Sequence, residues 1–257
     1  MLPDLQTALQ KTLQTDTWLL ANKFLVTERD DLWCCEGKLY VPEMMHKEIL
    51  RRCHDDKISG YFGFVKTLHL TRRQFWWPTL CKDIKDYVAS CSTCAMAKQK
   101  GGKPQGLLQS VANPSKPWKQ ITMDFIVDLP ESKKKTAIWV VVDLFSKQAH
   151  FVPCAKIPTA QQLAQLFLQH VYRLHGCPEC VISDRGMQFS SKFWKSFLAL
   201  LGTKQTLSSL SHPQTDGATE QLNSTLEQFL HCYINYQQDD WVDLLPFAEV
   251  AYNNSIH

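Results

Sequence analysis

The sequence predicts an α/β protein, in which a mixed β-sheet with flanking helices follows a small helical module. From residue 120 onward, strand-like and helix-like apolar spacings alternate in the order βββαβαβαα. Before residue 98, the apolar residues recur mainly at helical spacing. The 257 residues, 44% of them hydrophobic, are enough for one core domain of ordinary size and a smaller module.

The first part of the chain predicts a polar lead-in followed by a hairpin and three short helices. Residues 1–30 are polar and partly helical, and 33–42 predict a hairpin that turns at Glu36-Gly37. The three helices follow from apolar residues at helical spacing, namely Met45, Ile49, Leu50 and Cys53, then residues 64–70, then Leu80, Ile84 and Val88 after Pro78.

A domain boundary is indicated by the glycine pair and the proline within residues 101–104. We therefore expect four parts, which are an N-terminal extension and hairpin over 1–42, the helical module over 43–97, a linker over 98–110 and the core over 111–257.

Within the core, strand patterns at 120–127, 136–143 and 147–153 predict an antiparallel meander. A helix capped by Thr159 and ended by Gly176 follows. Its predicted buried face is Leu163, Leu166, Phe167, Val171 and Leu174. A strand that leads to Asp184, a helix at 191–201, a strand at 203–208 and two further helices complete the pattern.

Three acidic residues stand out by their context. Asp124 lies within an apolar strand, where an unpaired carboxylate costs several kcal/mol unless a positive charge meets it. Asp184 follows a short strand, at the sheet edge where α/β proteins usually place their sites. Glu220 falls just inside a long helical pattern, near the helix start and close to the sheet. Taken singly, each acid is better explained as a cap, a turn residue or a solvated charge.

The segments around these acids carry a family resemblance that runs from roughly Leu39 to the C-terminus. The segments are FWWP (75–78), CSTC (91–94), MDFI (123–126), VVVD (140–143), SDRG (183–186), HPQTDG (212–217) and LLPFAE (244–249). Together they closely resemble the integrase of gypsy-type LTR retrotransposons. The resemblance implies a ribonuclease H-like catalytic core with a five-stranded mixed sheet, in which the first and fourth strands are neighbours.

The resemblance also implies a D,D-35-E catalytic triad, because Asp124, Asp184 and Glu220 align with it and 35 residues separate the last two. Such a triad holds two Mg²⁺ or Mn²⁺ ions for phosphodiester cleavage and DNA strand transfer. The implied partners are double-stranded DNA, from the element ends and the target, and further copies of the chain. His212, Gln214 and Asn223 flank Glu220 and are expected DNA contacts, although loop packing explains them nearly as well.

The helical module is expected to bind one zinc ion through His54, Cys91 and Cys94. The family places a second histidine seven residues after the first, and this chain has Tyr61 there, so we expect weak binding. His46, His69 or Asp55 are alternative fourth ligands. A second CxxC, Cys177 to Cys180, has no nearby partner motif and is not expected to hold metal.

The charge pattern favours a polyanionic partner for the first part of the chain. Residues 57–103 carry nine Lys or Arg against two Asp, a net +7, within a chain of net +3. We expect DNA contacts from the basic residues Arg72, Arg73, Lys98, Lys100 and Lys103. A solvated surface is the competing interpretation.

Cellular location and completeness are further expectations. Ten cysteines, the absence of an export-signal pattern and an apolar run of only 137–142 predict a soluble intracellular chain that does not bind membranes. We expect it in the nucleus and cytoplasm. Because the sequence ends at His257, the family's C-terminal domain is expected to be absent. A host-captured remnant that binds DNA or protein without catalysis is therefore the alternative to an active integrase.

Overall fold

The computed structural model describes residues 3–29, 31–98, 114–207 and 213–257. These residues form two compact units, one that ends at Lys98 and one that ends at Ser255. The predicted linker at 98–110 lies outside the described residues apart from Lys98, so the predicted domain boundaries stay a prediction. Among the helices that the structure describes, none is long and apolar enough to cross a bilayer.

The first unit combines helices with a small four-stranded sheet. Its helices are α1 (Pro3–Leu13), α2 (Thr17–Ala21), α3 (Glu43–His54), α4 (Phe64–Arg72), α5 (Leu80–Ser90) and α6 (Ser92–Ala97), with a 3₁₀ turn at Lys23–Leu25. Its strands, in sheet order, are β1 (Thr27–Arg29), β2 (Leu32–Cys35), β3 (Lys38–Tyr40) and β4 (Phe75–Trp76).

The predicted hairpin and the three predicted helices are present in this unit. Glu36 and Gly37 have φ values of 50° and 75°, the positive values that a tight two-residue hairpin turn requires. The sequence did not predict β4, which pairs in parallel with β3 through Leu39 and Phe75. A strand of two residues is too short to show an alternating pattern, and only the folded chain reveals its partner.

The second unit is built on a five-stranded mixed sheet, as predicted. The strands are β5 (Gln120–Ile126), β6 (Ala137–Asp143), β7 (Ala149–Cys154), β8 (Cys180–Ser183) and β9 (Lys204–Leu207). Their order is β7-β6-β5-β8-β9. The first three strands pair antiparallel, whereas β5 with β8 and β8 with β9 pair in parallel. The first and fourth strands of the core are therefore neighbours.

Helices cover the sheet of the second unit and bury its apolar residues. They are α7 (Ala160–Phe167), a π turn (Leu168–Tyr172), α8 (Arg173–His175), α9 (Met187–Ser190), α10 (Lys192–Leu200), α11 (Pro213–Tyr233) and α12 (Trp241–Asn253). Residues of α7 and α10 share one buried cluster with Ile121, Met123 and Trp139. Helix α11 packs against β5 and β6, and α12 packs against β7. This central position of β5 fixes the surroundings of Asp124.

One predicted buried residue, Leu174, is 52% exposed instead. The helix does begin at Thr159 with a capping box and ends at Gly176, whose φ is 79°. Between Thr159 and Gly176, the helix contains a π turn at Leu168–Tyr172, which has more residues per turn than an α-helix. It therefore rotates the last turn relative to the α-helical pattern, and Leu174 leaves the buried face.

Helix α12 covers the edge strand β7 through side chains that bond to the strand's backbone. The Asn253 amide accepts from the Ala149 N–H at 2.8 Å and donates to the Ala149 carbonyl at 2.9 Å. One turn earlier, Glu249 accepts from the Phe151 N–H at 2.9 Å. Glu249 and Asn253 are one helical turn apart, and the strand residues to which they bond are two positions apart, so the two spacings are similar. The two side chains therefore satisfy backbone groups that an open sheet edge would leave without partners.

Glu249 also begins a chain of ring contacts that holds the end of α8. Its carboxylate accepts from His150 Nδ1 at 3.0 Å, and His150 Nε2 lies 2.8 Å from His175 Nε2. The His175 ring stacks on Trp118, with centroids 3.5 Å apart. Burial, followed by the charge of His150, lowers the pKa of His175 from 6.5 to about 4.

We predict that His175 makes the second unit less stable as pH falls from about 6.5 toward 4. In that window the unfolded chain takes up a proton that the folded chain does not, because the folded pKa is the lower one. The variant His175→Gln should therefore lose less stability than the wild type between pH 7.5 and 5, measured by urea denaturation. The same substitution at His231, an exposed residue of α11 in the same unit, is the control. An unchanged pH dependence in His175→Gln would contradict the prediction.

Candidate active site

The pairing of β5 with β8 brings two of the predicted acids together. The parallel register runs from Gln120 opposite Cys180 to Met123 opposite Ser183. The next residue on each strand is Asp124 and Asp184, so the two acids occupy matching positions at the carboxyl ends of neighbouring strands. Because these ends meet at one edge of the sheet, both carboxylates border the same space.

That space is a cavity of about 190 Å³, whose lining includes Asp124, Asp184, Thr122 and Thr219. Asp124 is half-buried, whereas Asp184 is exposed. The Asp184 carboxylate accepts from the Gly186 N–H at 3.0 Å, which holds it in the loop after β8. A Cβ atom at Gly186 would lie 3.0 Å from that same carboxylate oxygen and 2.5 Å from Gln188 Nε2. A residue without a side chain therefore lets this loop pass close to Asp184.

Helix α11 is attached to β5 by two side-chain hydrogen bonds beside this cavity. The Thr219 hydroxyl donates to the Thr122 hydroxyl at 2.8 Å. The Asn223 amide donates to Asp124 Oδ2 at 2.8 Å. Glu220 follows Thr219 in the helix, so its backbone lies in this attached segment, while its side chain lies outside the described residues. The helix begins at Pro213, seven residues before Glu220, and so earlier than the predicted start.

The residues present suit a hard divalent cation. Two carboxylates converge at the edge of the sheet, and a shared positive charge is what makes such a pair favourable. Asn223 Oδ1 is buried and has no hydrogen-bond partner among the described residues, although its amide nitrogen is engaged by Asp124. Carboxylate and amide oxygens are ligands that Mg²⁺ and Mn²⁺ prefer. These observations fit a metal site here, whose occupancy stays a prediction.

In the first unit, His54, Cys91 and Cys94 come together as a potential metal site. Their ligand atoms all lie within 4.8 Å of one another, and His54 Nε2 is 3.3 Å from Cys94 Sγ. Zinc bonds of about 2.0 Å to nitrogen and 2.3 Å to sulfur would set two tetrahedral ligands about 3.5 Å apart. The Cys94 N–H donates to Cys91 Sγ at the start of α6, which closes the turn between the two cysteines. The donor set and spacing fit zinc.

A hydroxyl that the sequence did not single out fixes the orientation of His54. The Thr67 hydroxyl donates to the Phe62 carbonyl at 3.1 Å, so its oxygen is free to accept from His54 Nδ1 at 3.3 Å. This contact places the imidazole proton on Nδ1 and leaves the Nε2 lone pair facing Cys94. Burial, followed by the charge of Lys98, lowers the pKa of His54 to about 4, which keeps the ring neutral as a metal ligand must be.

Tyr61 borders this site. Its ring meets the His54 ring edge-on with centroids 5.3 Å apart, and its carbonyl accepts from the Cys94 thiol at 3.5 Å. Among the described His, Cys, Asp and Glu residues, the potential ligand group has only the three members already named. Of the alternatives, His46 stacks on Trp77 and contacts Asp83, and Asp55 accepts from Tyr87. Neither of them joins the group, and His69 does not join it either.

The second CxxC, Cys177 to Cys180, leads into β8 of the second unit, a strand that pairs in parallel with both of its neighbours. The Cys177 thiol contacts the Leu201 carbonyl at 3.2 Å and the Thr203 hydroxyl at 3.1 Å. Cys180 Sγ lies 3.5 Å from the Thr206 hydroxyl. Each thiol thus contacts a threonine hydroxyl of the fold, and Cys177 also contacts a backbone carbonyl.

The predicted DNA contacts are distributed over several regions. Arg72 and Arg73 are both exposed at the end of α4. Lys98 lies close enough to His54 to lower its pKa. Asn223 bonds to Asp124, which places it at the acidic site and not on an open surface. The remaining predicted contacts, Lys100, Lys103, His212 and the side chain of Gln214, lie outside the described residues.

Each of the two units contains a match to a known protein family. Residues 41–100 match the integrase zinc binding domain, and residues 114–213 match the integrase core domain, a span that contains Asp124 and Asp184. The chain therefore belongs to the integrase family and carries its zinc binding domain followed by its core domain. The predicted resemblance to integrases of gypsy-type LTR retrotransposons is confirmed.

Two transposon polyproteins show the same relationship. The chain is 37% identical over 211 residues to the Transposon Tf2-3 and Tf2-4 polyproteins of Schizosaccharomyces pombe, which covers 82% of this chain and 16% of each polyprotein. It thus spans about a sixth of the length of these relatives. A solved structure, a simian T-cell lymphotropic virus intasome in complex with PP2A regulatory subunit B56 gamma, matches with a TM-score of 0.47 and 17% identity, over 71% of this chain and 59% of that one.

We predict that Tyr61→His tightens zinc binding by at least about tenfold, because it adds an imidazole beside the three candidate ligands. The φ of 49° at this position is one that histidine tolerates. Zinc affinity is measured by competition with a chromophoric chelator, and the melting temperature of the first unit is measured alongside it. Tyr61→Phe, which removes the phenol hydroxyl without adding a ligand, is the control. A wild-type chain that already holds zinc as tightly as Tyr61→His would show that another group completes the tetrahedron.

Proposed function

We propose that this chain catalyses phosphodiester cleavage and DNA strand transfer, and thereby inserts element DNA into target DNA. The observation that carries the proposal is the position of Asp124 and Asp184 at matching ends of neighbouring parallel strands, beside a helix that carries Glu220. The integrase core match includes both aspartates. Two acids at one sheet edge are of little use for stability, whereas acidic side chains that hold metal ions suit phosphoryl transfer, in which the ions neutralise the developing charge.

Asp124, Asp184 and Glu220 would hold two Mg²⁺ or Mn²⁺ ions. When bound, the ions stabilise charge on the phosphoryl oxygens and on the attacking and leaving oxygens. The protein's own contribution is orientation. Asn223 fixes one oxygen of Asp124, and the Gly186 N–H fixes one oxygen of Asp184. With both carboxylates held, little rearrangement is needed when a DNA phosphodiester arrives.

The proposed reaction has two steps at the same site. Water first attacks a phosphodiester near the 3′ end of the element DNA and releases a terminal fragment, which leaves a 3′-hydroxyl. That hydroxyl then attacks a target phosphodiester, so that one phosphodiester bond forms as another breaks. Since the bonds exchanged are equivalent, the second step needs no ATP and no covalent protein intermediate. Each element end requires its own acidic site, so joining two ends favours a homo-oligomer.

Double-stranded DNA is the proposed partner, and the nucleus is where the proposed target lies. The exposed pair Arg72 and Arg73 supports phosphate contact by the first unit. A second candidate function is DNA or protein binding without catalysis, in a captured remnant. The specific observation that favours it is Tyr61, which borders the zinc ligands where the family places a histidine.

We predict that Asp184→Asn abolishes strand transfer, with a loss of about a thousandfold or more, because the acids act as one unit. It should also remove any rise in melting temperature that Mn²⁺ gives the wild type. The assay joins labelled long-terminal-repeat ends to a target duplex in Mg²⁺ or Mn²⁺. Asp128→Asn is the matched control, since Asp128 is exposed just beyond β5 and has a φ of 58° that asparagine tolerates. Equal activity of Asp184→Asn and the wild type would refute the proposal.

We also predict that Arg72→Glu combined with Arg73→Glu weakens binding to duplex DNA with little dependence on its sequence. If both side chains contact phosphates, the slope of log affinity against log salt should decrease by about 2. Fluorescence anisotropy from 50 to 300 mM salt provides the measurement. Lys134→Glu combined with Lys156→Glu makes the same charge change at exposed positions of the other unit. If both double variants lower the slope equally, the effect is one of net charge and the arginines have no special role.

A further inference from the structure

A buried pair of threonine hydroxyls joins β5 to α11 directly beneath the acidic site. The Thr219 hydroxyl donates to the Thr122 hydroxyl at 2.8 Å across 97 residues of sequence. Thr122 is 2% exposed and Thr219 is 4% exposed. Both residues line the same cavity as Asp124 and Asp184. A hydrogen bond shielded from water in this way is electrostatically stronger than one in water, and losing it leaves a costly unpaired group.

The spacing of this bond matches that of the second attachment, between Asn223 and Asp124. Thr122 and Asp124 are two residues apart on the strand, about 6.7 Å, and face the same side. Thr219 and Asn223 are four residues apart on the helix, about 6 Å, and also face one side. The two hydrogen bonds therefore run side by side, and the backbone of Glu220 lies between them.

We propose that Thr122 and Thr219 are positioning residues for the acidic site, which set the separation between the strand that carries Asp124 and the helix segment that carries Glu220. This inference rests on the proposed function. A functional constellation tolerates errors of only about 0.5 Å in its ligand groups. An apolar pair of the same shape would fill the same volume, but it would not fix the distance or the direction between the two elements, whereas the hydroxyl pair fixes both.

Replacing threonine by valine, which has nearly the same shape, distinguishes a role of the two hydroxyls in positioning the acids from a role in stability alone. A single Thr219→Val change leaves the buried Thr122 hydroxyl without its partner, and such an orphaned group destabilises the fold. The double variant Thr122→Val with Thr219→Val replaces both hydroxyls and removes that penalty, so it should unfold within a few degrees of the wild type. If the pair served stability alone, the double variant would also regain activity. If it positions the acids, activity should stay low.

The test measures strand transfer, the Mn²⁺ concentration for half-maximal activity, and the Mn²⁺-dependent rise in melting temperature. We expect the double variant to lose about 10- to 100-fold in activity, to need more Mn²⁺ and to show a smaller rise. Thr219→Ser, which keeps the hydroxyl, should stay within about threefold of the wild type. Thr203→Val removes a buried hydroxyl that bonds to the Pro178 carbonyl in the same unit, and it should lower stability without changing the Mn²⁺ requirement.

A stable double variant with wild-type activity and wild-type Mn²⁺ response would overturn the inference. A loss of activity equal in Thr203→Val and in the double variant would also overturn it, because stability would then explain both. Failure of the proposed function would give a different result. The wild type would then equal Asp184→Asn in strand transfer and in Mn²⁺ response, which would show that there is no metal site. That result would overturn both proposals, whereas the first two leave the proposed function standing.

Discussion

The parallel pairing of β5 with β8 is the constraint on which the rest of the second unit depends. These strands are far apart in sequence, and the helical crossover from Thr159 to Gly176 lets them run side by side in the same direction. The register then places Asp124 and Asp184 at matching positions. A shift by one residue would turn one of the acids to the opposite face of the sheet. The buried cluster on that opposite face, which includes Met123 and Val181, opposes such a shift.

Both candidate sites use threonine hydroxyls to orient the groups that would bind metal. Thr67 accepts from His54 Nδ1 in the first unit and so directs Nε2 toward Cys94. In the second unit, Thr122 and Thr219 hold the helix that carries Glu220 against the strand that carries Asp124. A threonine hydroxyl is short, nearly rigid at χ1, and able both to donate and to accept, which suits it to this task inside a packed core. The ligands alone thus describe only part of each site.

Much of the fold followed from the sequence, because buried strands and helices have apolar periods that are visible without coordinates. The five strands of the core, the helix cap at Thr159 and the edge position of Asp184 are all predictable from the sequence. The parts that were missed lack such a period. Strand β4 has two residues, and the first turns of α11 are polar, so its start at Pro213 gave no apolar signal. The contacts of Thr67, Thr122 and Thr219 depend on tertiary pairing, which no single segment encodes.

The most direct test of the account is to locate the metal. Crystals of the chain grown with Mn²⁺ should give anomalous scattering peaks about 2.1 Å from carboxylate oxygens of both Asp124 and Asp184, with Glu220 completing the coordination. Joint coordination by carboxylates from β5, β8 and α11 is the result that the account predicts. Well-ordered carboxylates without a peak between them, at Mn²⁺ concentrations that support strand transfer, would contradict it.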